Sequence, residues 1–210
     1  MCNGEIHRPT LLKFVNQKDI FLIATDGAAN VLHKYSIVPN VIIGDLDSIK
    51  YETLRHFKNK KVIIRRVFNQ DQNDLEKAIL HAINHKLRNI YVMGFSGGRL
   101  DHTLNNLSVM RKYFRKCSLT MIDKEFEITF IDKNSLIDYW SDKTISLFAF
   151  QKVSGIKTQG LKYPINDESL EFGIRQGTLN SSSSKTVQIE IGKGVLLLFK
   201  KHFGKFKSTS

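Results

Sequence analysis

Short, wholly apolar runs recur through the first half of the chain. Ile20-Phe21-Leu22-Ile23-Ala24, Val41-Ile42-Ile43, Val62-Ile63-Ile64 and Ile90-Tyr91-Val92-Met93 show no polar alternation. Strands covered on both faces read this way. Between the runs the period changes. From Asp74 to Lys86, the residues Leu75, Ala78, Ile79, Ala82 and Ile83 fall on one face of a helix. Asn73 is placed to cap that helix, with Glu76 three residues on as in a capping box. Leu100, Leu104 and Leu107 open another helix, with Asp101 as its expected cap. Strand, helix and strand at this spacing predict a parallel sheet with crossover helices.

Near Met121 the pattern turns to short β-rich runs: Glu127 to Ile131, Thr144 to Phe150, Gly155 to Leu161 and Thr186 to Phe199. Val187, Ile189 and Ile191 alternate with Gln188 and Glu190, the period of a half-buried antiparallel strand. Asp132-Lys133-Asn134 and Gly192-Lys193-Gly194 are expected hairpin turns. The reading is an α/β domain over 1–125 and an all-β sandwich domain over 126–210, with the boundary between Ser118 and Lys133. Ser181 to Ser184 is expected as a loop, and Gly204 to Ser210 as a frayed basic tail.

Composition narrows the class. A hydrophobic fraction of 41% suits a globular protein. No apolar stretch approaches the roughly 20 residues of a membrane span, and Met1 to Thr10 has no apolar core of a signal peptide. Cys2 and Cys117 stand far apart, which excludes a disulfide framework and argues against structural zinc. A cytoplasmic location and no membrane partner are expected. The formal charge is +12, from 32 basic and 20 acidic residues. It is spread in small clusters such as Lys58-Lys60-Lys61 and Arg111-Lys112-Arg115-Lys116 rather than in one arm. Such a charge attracts anionic small molecules or nucleic acid.

Four polar segments follow the apolar runs: Asp26-Gly27-Ala28-Ala29-Asn30, Gly44-Asp45-Leu46-Asp47-Ser48, Asn69-Gln70-Asp71-Gln72-Asn73-Asp74 and Gly97-Gly98-Arg99-Leu100-Asp101-His102. Ligands of open α/β sheets bind beyond the carboxyl ends of the strands. Carboxylates gathered there repel one another unless a cation joins them, so one site for a hard metal ion and a polyphosphate is the economical reading. Asp45 and Asp47, two apart after a strand, share a face and suit a cation. Capping is the commoner use of an Asp before a helix, but Ser48 can cap the helix expected near Ile49 and leave Asp47 free. The small residues after Asp26 let a backbone approach a nucleotide. Asp74 and Lys77 share a helix face; the plain alternative is a surface ion pair of little worth. Arg99 offers a planar fork for phosphate, and His102 is expected to be structural. A nucleic-acid-binding protein remains the alternative that the charge raises, but it leaves the strand-end carboxylates unexplained.

This ordered set resembles the thiamine pyrophosphokinase family from about Ala24 to Leu198. The resemblance rests on Asp26-Gly27-Ala28-Ala29-Asn30, Gly44-Asp45-Leu46-Asp47-Ser48, Asp71-Gln72-Asn73-Asp74 with Lys77-Ala78, and Gly98 to Leu107. Ser146-Leu147-Phe148 and Gly160 to Ile165 match as well. It implies an α/β domain with a mostly parallel, Rossmann-like sheet that binds ATP and Mg²⁺, and a β-sandwich for thiamine binding and dimerisation. It also implies a homodimer with active sites between subunits and no nucleic-acid partner. Asp45, Asp47 and Asp74 are implied as metal ligands, and Asp47, Asp74, Arg99 and Asp101 as catalytic. Asp26, Gly27, Asn30, Gln70, Lys77 and Asn180 are implied as nucleotide or substrate contacts. The implied reaction moves the pyrophosphoryl group of ATP to the thiamine hydroxyl, releasing AMP; a pterin or other hydroxymethyl acceptor is the alternative. Asn73 stands where the family has Thr, and Leu179 where it has Ser. No aromatic lies close to Thr178–Ser183 in sequence, and Trp140 is elsewhere.

Overall fold

The computed structural model describes residues 1–202 and divides after Lys124 into two compact units. The expected basic tail lies outside the described residues.

The first unit alternates helix and strand: α1 (Arg8–Val15), β1 (Ile23–Thr25), α2 (Ala28–Lys34), β2 (Val41–Gly44), α3 (Tyr51–Asn59), β3 (Ile63–Arg66), α4 (Asp74–Asn84), β4 (Asn89–Met93), α5 (Leu100–Tyr113) and β5 (Ser118–Ile122). β1, β2 and β3 pair in parallel, and so do β4 and β5. Apolar residues cover both faces of β2. Ile42 packs with Leu11, Phe14, Leu32 and Phe57, while Val41 and Ile43 pack with Ala78 of α4. That two-sided burial is why Val41-Ile42-Ile43 shows no polar alternation.

Two expectations change here. Val62-Ile63-Ile64 reads as a strand covered on both faces, but β3 is the edge of its three-stranded sheet and Ile63 is 55% exposed. Asn73 does cap α4, accepting from the Glu76 amide at 2.9 Å. The Glu76 carboxylate, however, turns away to Lys112 (2.7 Å) and Tyr113 (2.6 Å) of α5, so the box is not closed.

The second unit, from Glu125, is strand-rich: β6 (Phe126–Ile131), β7 (Ser135–Asp138), β8 (Thr144–Phe148), β9 (Val153–Gln159), β10 (Asn166–Leu170), β11 (Gly177–Ser181), β12 (Thr186–Glu190) and β13 (Leu196–Lys201). The strands lie in the orders β10-β9-β12-β7 and β11-β8-β13-β6, with antiparallel pairing. Ile145, Leu147, Val153, Ile156, Val187 and Ile189 are fully buried in one cluster drawn from both sets. The two expected hairpin turns are instead crossings. Asp132-Lys133-Asn134 joins β6 to β7 and Gly192-Lys193-Gly194 joins β12 to β13, each passing from one set to the other.

Candidate functional site

β1 and β2 run in parallel with Thr25 opposite Ile43, so Asp26 and Asp45 emerge at the same end of the sheet. The amino end of α4 brings Asp74 to them. One carboxylate oxygen from each of Asp26, Asp45 and Asp74 lies within 4.8 Å of the others. Gly44 makes this approach possible, because a Cβ there would stand 2.8 Å from the Asp26 Cβ and 3.3 Å from Asp74 Oδ1. Leu46, between the two acids of the loop, sits at φ 68°, a left-handed conformation that a branched side chain rarely adopts. Strain of that kind is tolerated where the surroundings hold it. Here Asn30 clamps the loop, donating to Ser48 O (2.9 Å) and accepting from Lys50 N (3.0 Å).

The charges are unevenly balanced. Asp26 is fully buried. Its Oδ2 accepts from the Ser48 amide at 2.8 Å, whereas Oδ1 has no partner among the described residues. Burial, with Asp47 and Asp74 nearby, pushes Asp26 up to about 6 from 3.8, although the Ser48 amide opposes the shift. Burial also raises Asp74, against the pull of Lys77. Lys77 is itself buried and reaches Asp74 Oδ1 at 3.1 Å, so this is no surface pair. Asp47 is lowered by hydrogen bonds with Ser48, whose hydroxyl donates at 2.8 Å, and with Asp26. The close triad thus contains Asp26, expected among the nucleotide contacts, while Asp47 flanks it.

Two capping expectations are corrected. Lys50, not Ser48, precedes α3 as its cap residue, and the Ser48 amide serves Asp26. Arg99 precedes α5, which puts Asp101 inside the first turn. There Asp101 takes a two-point contact from Arg99, Nε to Oδ1 at 3.1 Å and Nη2 to Oδ2 at 2.5 Å, and is pushed down to about 2 by it. Both side chains are exposed. Gly27 stands at the start of α2 and Gln70 in the exposed turn ahead of α4. Asn106, from the same motif as Arg99, donates to Phe95 O (2.8 Å) and accepts from Asn73 (3.1 Å), tying α5 to the start of α4.

Arg66 is a residue that sequence reading passed over. Its Nε donates to Asp45 O at 3.0 Å and its guanidinium lies 4.5 Å from the Phe68 ring centroid. The parallel register of Gly44 with Arg66 produces this placement, and no motif announces it.

Asn180 lies in the second unit, on β11. Its amide donates to Tyr163 O (2.7 Å) and accepts from Tyr163 N (3.1 Å) and Ser181 N (2.9 Å). The Tyr163 side chain is 61% exposed. Ser182 donates to the Trp140 carbonyl. Two aromatics that are distant in sequence therefore border the Asn180 segment, which the linear reading could not show.

An α/β unit with carboxylates gathered beyond its parallel strands, and a strand-rich unit joined to it in sequence, define a protein built to handle a charged ligand with the help of a hard cation. Residues 12–122 match the thiamin pyrophosphokinase catalytic domain and residues 122–196 the thiamin pyrophosphokinase vitamin B1 binding domain. The chain belongs to the thiamin pyrophosphokinase family. It is 28% identical to thiamin pyrophosphokinase 1 of Caenorhabditis elegans over 84% of this chain and 77% of that one. It is 25% identical to thiamine pyrophosphokinase of Bacillus subtilis over 91% of this chain and 92% of that one. In fold it is similar to the crystal structures of the B. subtilis enzyme (TM-score 0.84, 23% identity, 96% and 97% covered) and of yeast thiamin pyrophosphokinase (TM-score 0.83, 20% identity, 97% and 85% covered). Among the described residues no helix is long and apolar enough to cross a membrane.

Proposed function

We propose that this member of the family transfers the pyrophosphoryl group of ATP to the thiamine hydroxyl at the carboxylate site of its first unit. The observation that carries the site assignment is the triad of Asp26, Asp45 and Asp74, with one buried oxygen of Asp26 left unpartnered. A buried carboxylate oxygen without a donor is costly, and a hard cation fits the oxygen-only donor set. Asp45 and Asp74, with Asp26 and the flanking Asp47, would hold Mg²⁺. Bound there, the ion would offset the charge of the phosphate oxygens.

The protein's own groups position and neutralise. The thiamine oxygen forms its bond to the β-phosphorus as the bond from that phosphorus to the bridging oxygen breaks, and AMP leaves with that oxygen. Lys77, fixed by Asp74, faces the phosphates, and Gly27 and Asn30 border the nucleotide. Arg99 offsets developing charge, and Gln70 contacts substrate. Asp101, held low by Arg99, is a poor proton acceptor, and its part is to orient the Arg99 fork. In the second unit, Asn180 anchors the backbone beneath Tyr163, whose exposed ring suits stacking against a cationic aromatic substrate. We further read the first unit as a Rossmann-like catalytic domain over 1–125, and the second as a thiamine-binding and dimerising sandwich over 126–210. The protein would work as a cytoplasmic homodimer with active sites between subunits.

The test is incubation of the protein with ATP, Mg²⁺ and thiamine while AMP and thiamine diphosphate are followed. Equal appearance of both, lost with EDTA, is expected. AMP without the thiamine product would overturn the acceptor. Turnover undiminished by EDTA would overturn the metal site.

A further inference from the structure

Residues ahead of α1 pair with two strands at once. The Met1 ammonium donates to Ile23 O (2.7 Å), and Met1 O accepts from Thr25 N (2.9 Å). Cys2 N donates to Met93 O (2.7 Å) and Gly4 N to Gly94 O (2.8 Å). Successive residues of a strand turn their backbone groups to alternate sides, so Met1 serves β1 while Cys2 serves β4. Met1 to Gly4 therefore lie as a parallel strand between the carboxyl ends of β1 and β4.

Toward the amino ends of the same strands this pairing stops, and a cavity of about 630 Å³ takes its place. Ile20–Ile23 line one side and Asn89–Met93 the other, with Leu11 of α1 and Ala78, Ile79 and Ala82 of α4 also lining it. The backbone of Phe21 has no hydrogen-bond partner among the described residues. On β4, Arg88 O serves β5 and Met93 O serves Cys2, so by alternation the backbone of Asn89 turns to the cavity. At the inner end stands the Met1 ammonium, lowered from its ordinary value by burial. A buried charge of this kind is costly. An amide N–H at the same atom would keep the bond to Ile23 O without the charge.

We infer that this slot is the seat of one further β-strand, about four apolar residues long, joined by a peptide bond to the Met1 nitrogen and parallel to β1 and β4. Its length follows from Asn89–Val92, which span about 13 Å at roughly 3.3 Å per residue. Its apolar character follows from the α1 and α4 side chains that would cover its two faces. A small apolar ligand would fill the volume but leave the Phe21 and Asn89 backbone groups unpaired, which disfavours it. With the strand in place, the hydrogen-bonded order becomes β3-β2-β1-strand-β4-β5, parallel throughout.

The experiment compares three full-length proteins: the chain beginning at Met1, the chain with Val-Ile-Val-Ile ahead of Met1, and the chain with Gly-Ser-Gly-Ser there. Thermal unfolding and amide hydrogen exchange are the readouts. The apolar extension is expected to raise Tm by about 5 °C or more over both others and to protect the Phe21 amide about 100-fold. An equal rise with both extensions would show that removing the buried charge suffices, and would overturn the strand. So would an apolar extension that leaves Tm and Phe21 exchange where the Gly-Ser extension leaves them.

Discussion

Asp26 carries a conflict between stability and chemistry. In the folded chain it holds its proton up to about 6, whereas the unfolded value is 3.8. Between those values the native state binds more protons than the unfolded one, so stability falls as pH rises through that window and stays lower above it. The shift corresponds to about 3 kcal/mol at most. Asp26→Asn should therefore stabilise the metal-free protein at pH about 7.5 by on the order of 2 kcal/mol, keep the Ser48 hydrogen bond, and abolish turnover. Thermal melts in EDTA decide it; an unchanged or lower Tm would mean that the buried charge is compensated. Arg66 yields a second prediction. Anchored by Asp45 O and Phe68, it leaves the outer guanidinium nitrogens free to meet a polyphosphate. Arg66→Ala should raise KM for ATP about tenfold, or about 1.4 kcal/mol, with kcat little changed; equal losses in both would contradict a binding role. The acids were legible because each follows an apolar run. That Asp26 belongs in the triad, and that Arg66 borders it, depends on strand register, which sequence spacing does not carry.

At the scale of elements, strands buried on both faces and the amphipathic α4 were legible from their periods, while the strands at sheet edges were not. β7 (SLID), β10 (NDESL) and β11 (GTLNS) lie at the ends of their strand orders. Charged or small polar residues suit an exposed edge and blunt it against pairing with other chains, and the same residues hide it from a hydrophobic pattern. The turns after β6 and β12 were found but misread, because residue type marks a turn without saying which sheet the chain enters next. Helix contacts show a related limit. Glu76 looks like half of a capping box, yet its carboxylate is 6% exposed and joins α4 to α5 through Lys112 and Tyr113. Burial pushes Glu76 up, but those two partners outweigh it and the net shift is downward. Glu76→Ala leaves the Tyr113 hydroxyl unpartnered in the core and should cost about 2–3 kcal/mol in urea unfolding. A loss below about 0.5 kcal/mol would show that the pair behaves as a surface contact. Because Glu76 is lowered, its contribution is present above its unfolded value and fades as pH falls through the folded one.

At the scale of the whole molecule, the +12 charge has to coexist with a site made of carboxylates. The two act over different distances. Within a few ångströms the Asp26, Asp45 and Asp74 oxygens favour a cation. Farther out, the summed positive field favours an approaching polyanion and raises its encounter rate. Salt separates the two, since the Debye length shortens from about 30 Å at 0.01 M to about 8 Å at 0.15 M. If the basic surface serves ATP capture, kcat/KM for ATP should fall several-fold over that range of ionic strength at fixed free Mg²⁺. The kcat measured at saturating ATP should hold, because the short-range contacts are little screened. For thiamine, which is a cation, the same field predicts no gain at low salt, so kcat/KM for thiamine should stay flat or rise as salt is added. A parallel loss for both substrates would instead mean that salt acts on the fold or on metal binding. The surface charge would then have no part in selecting the anionic substrate.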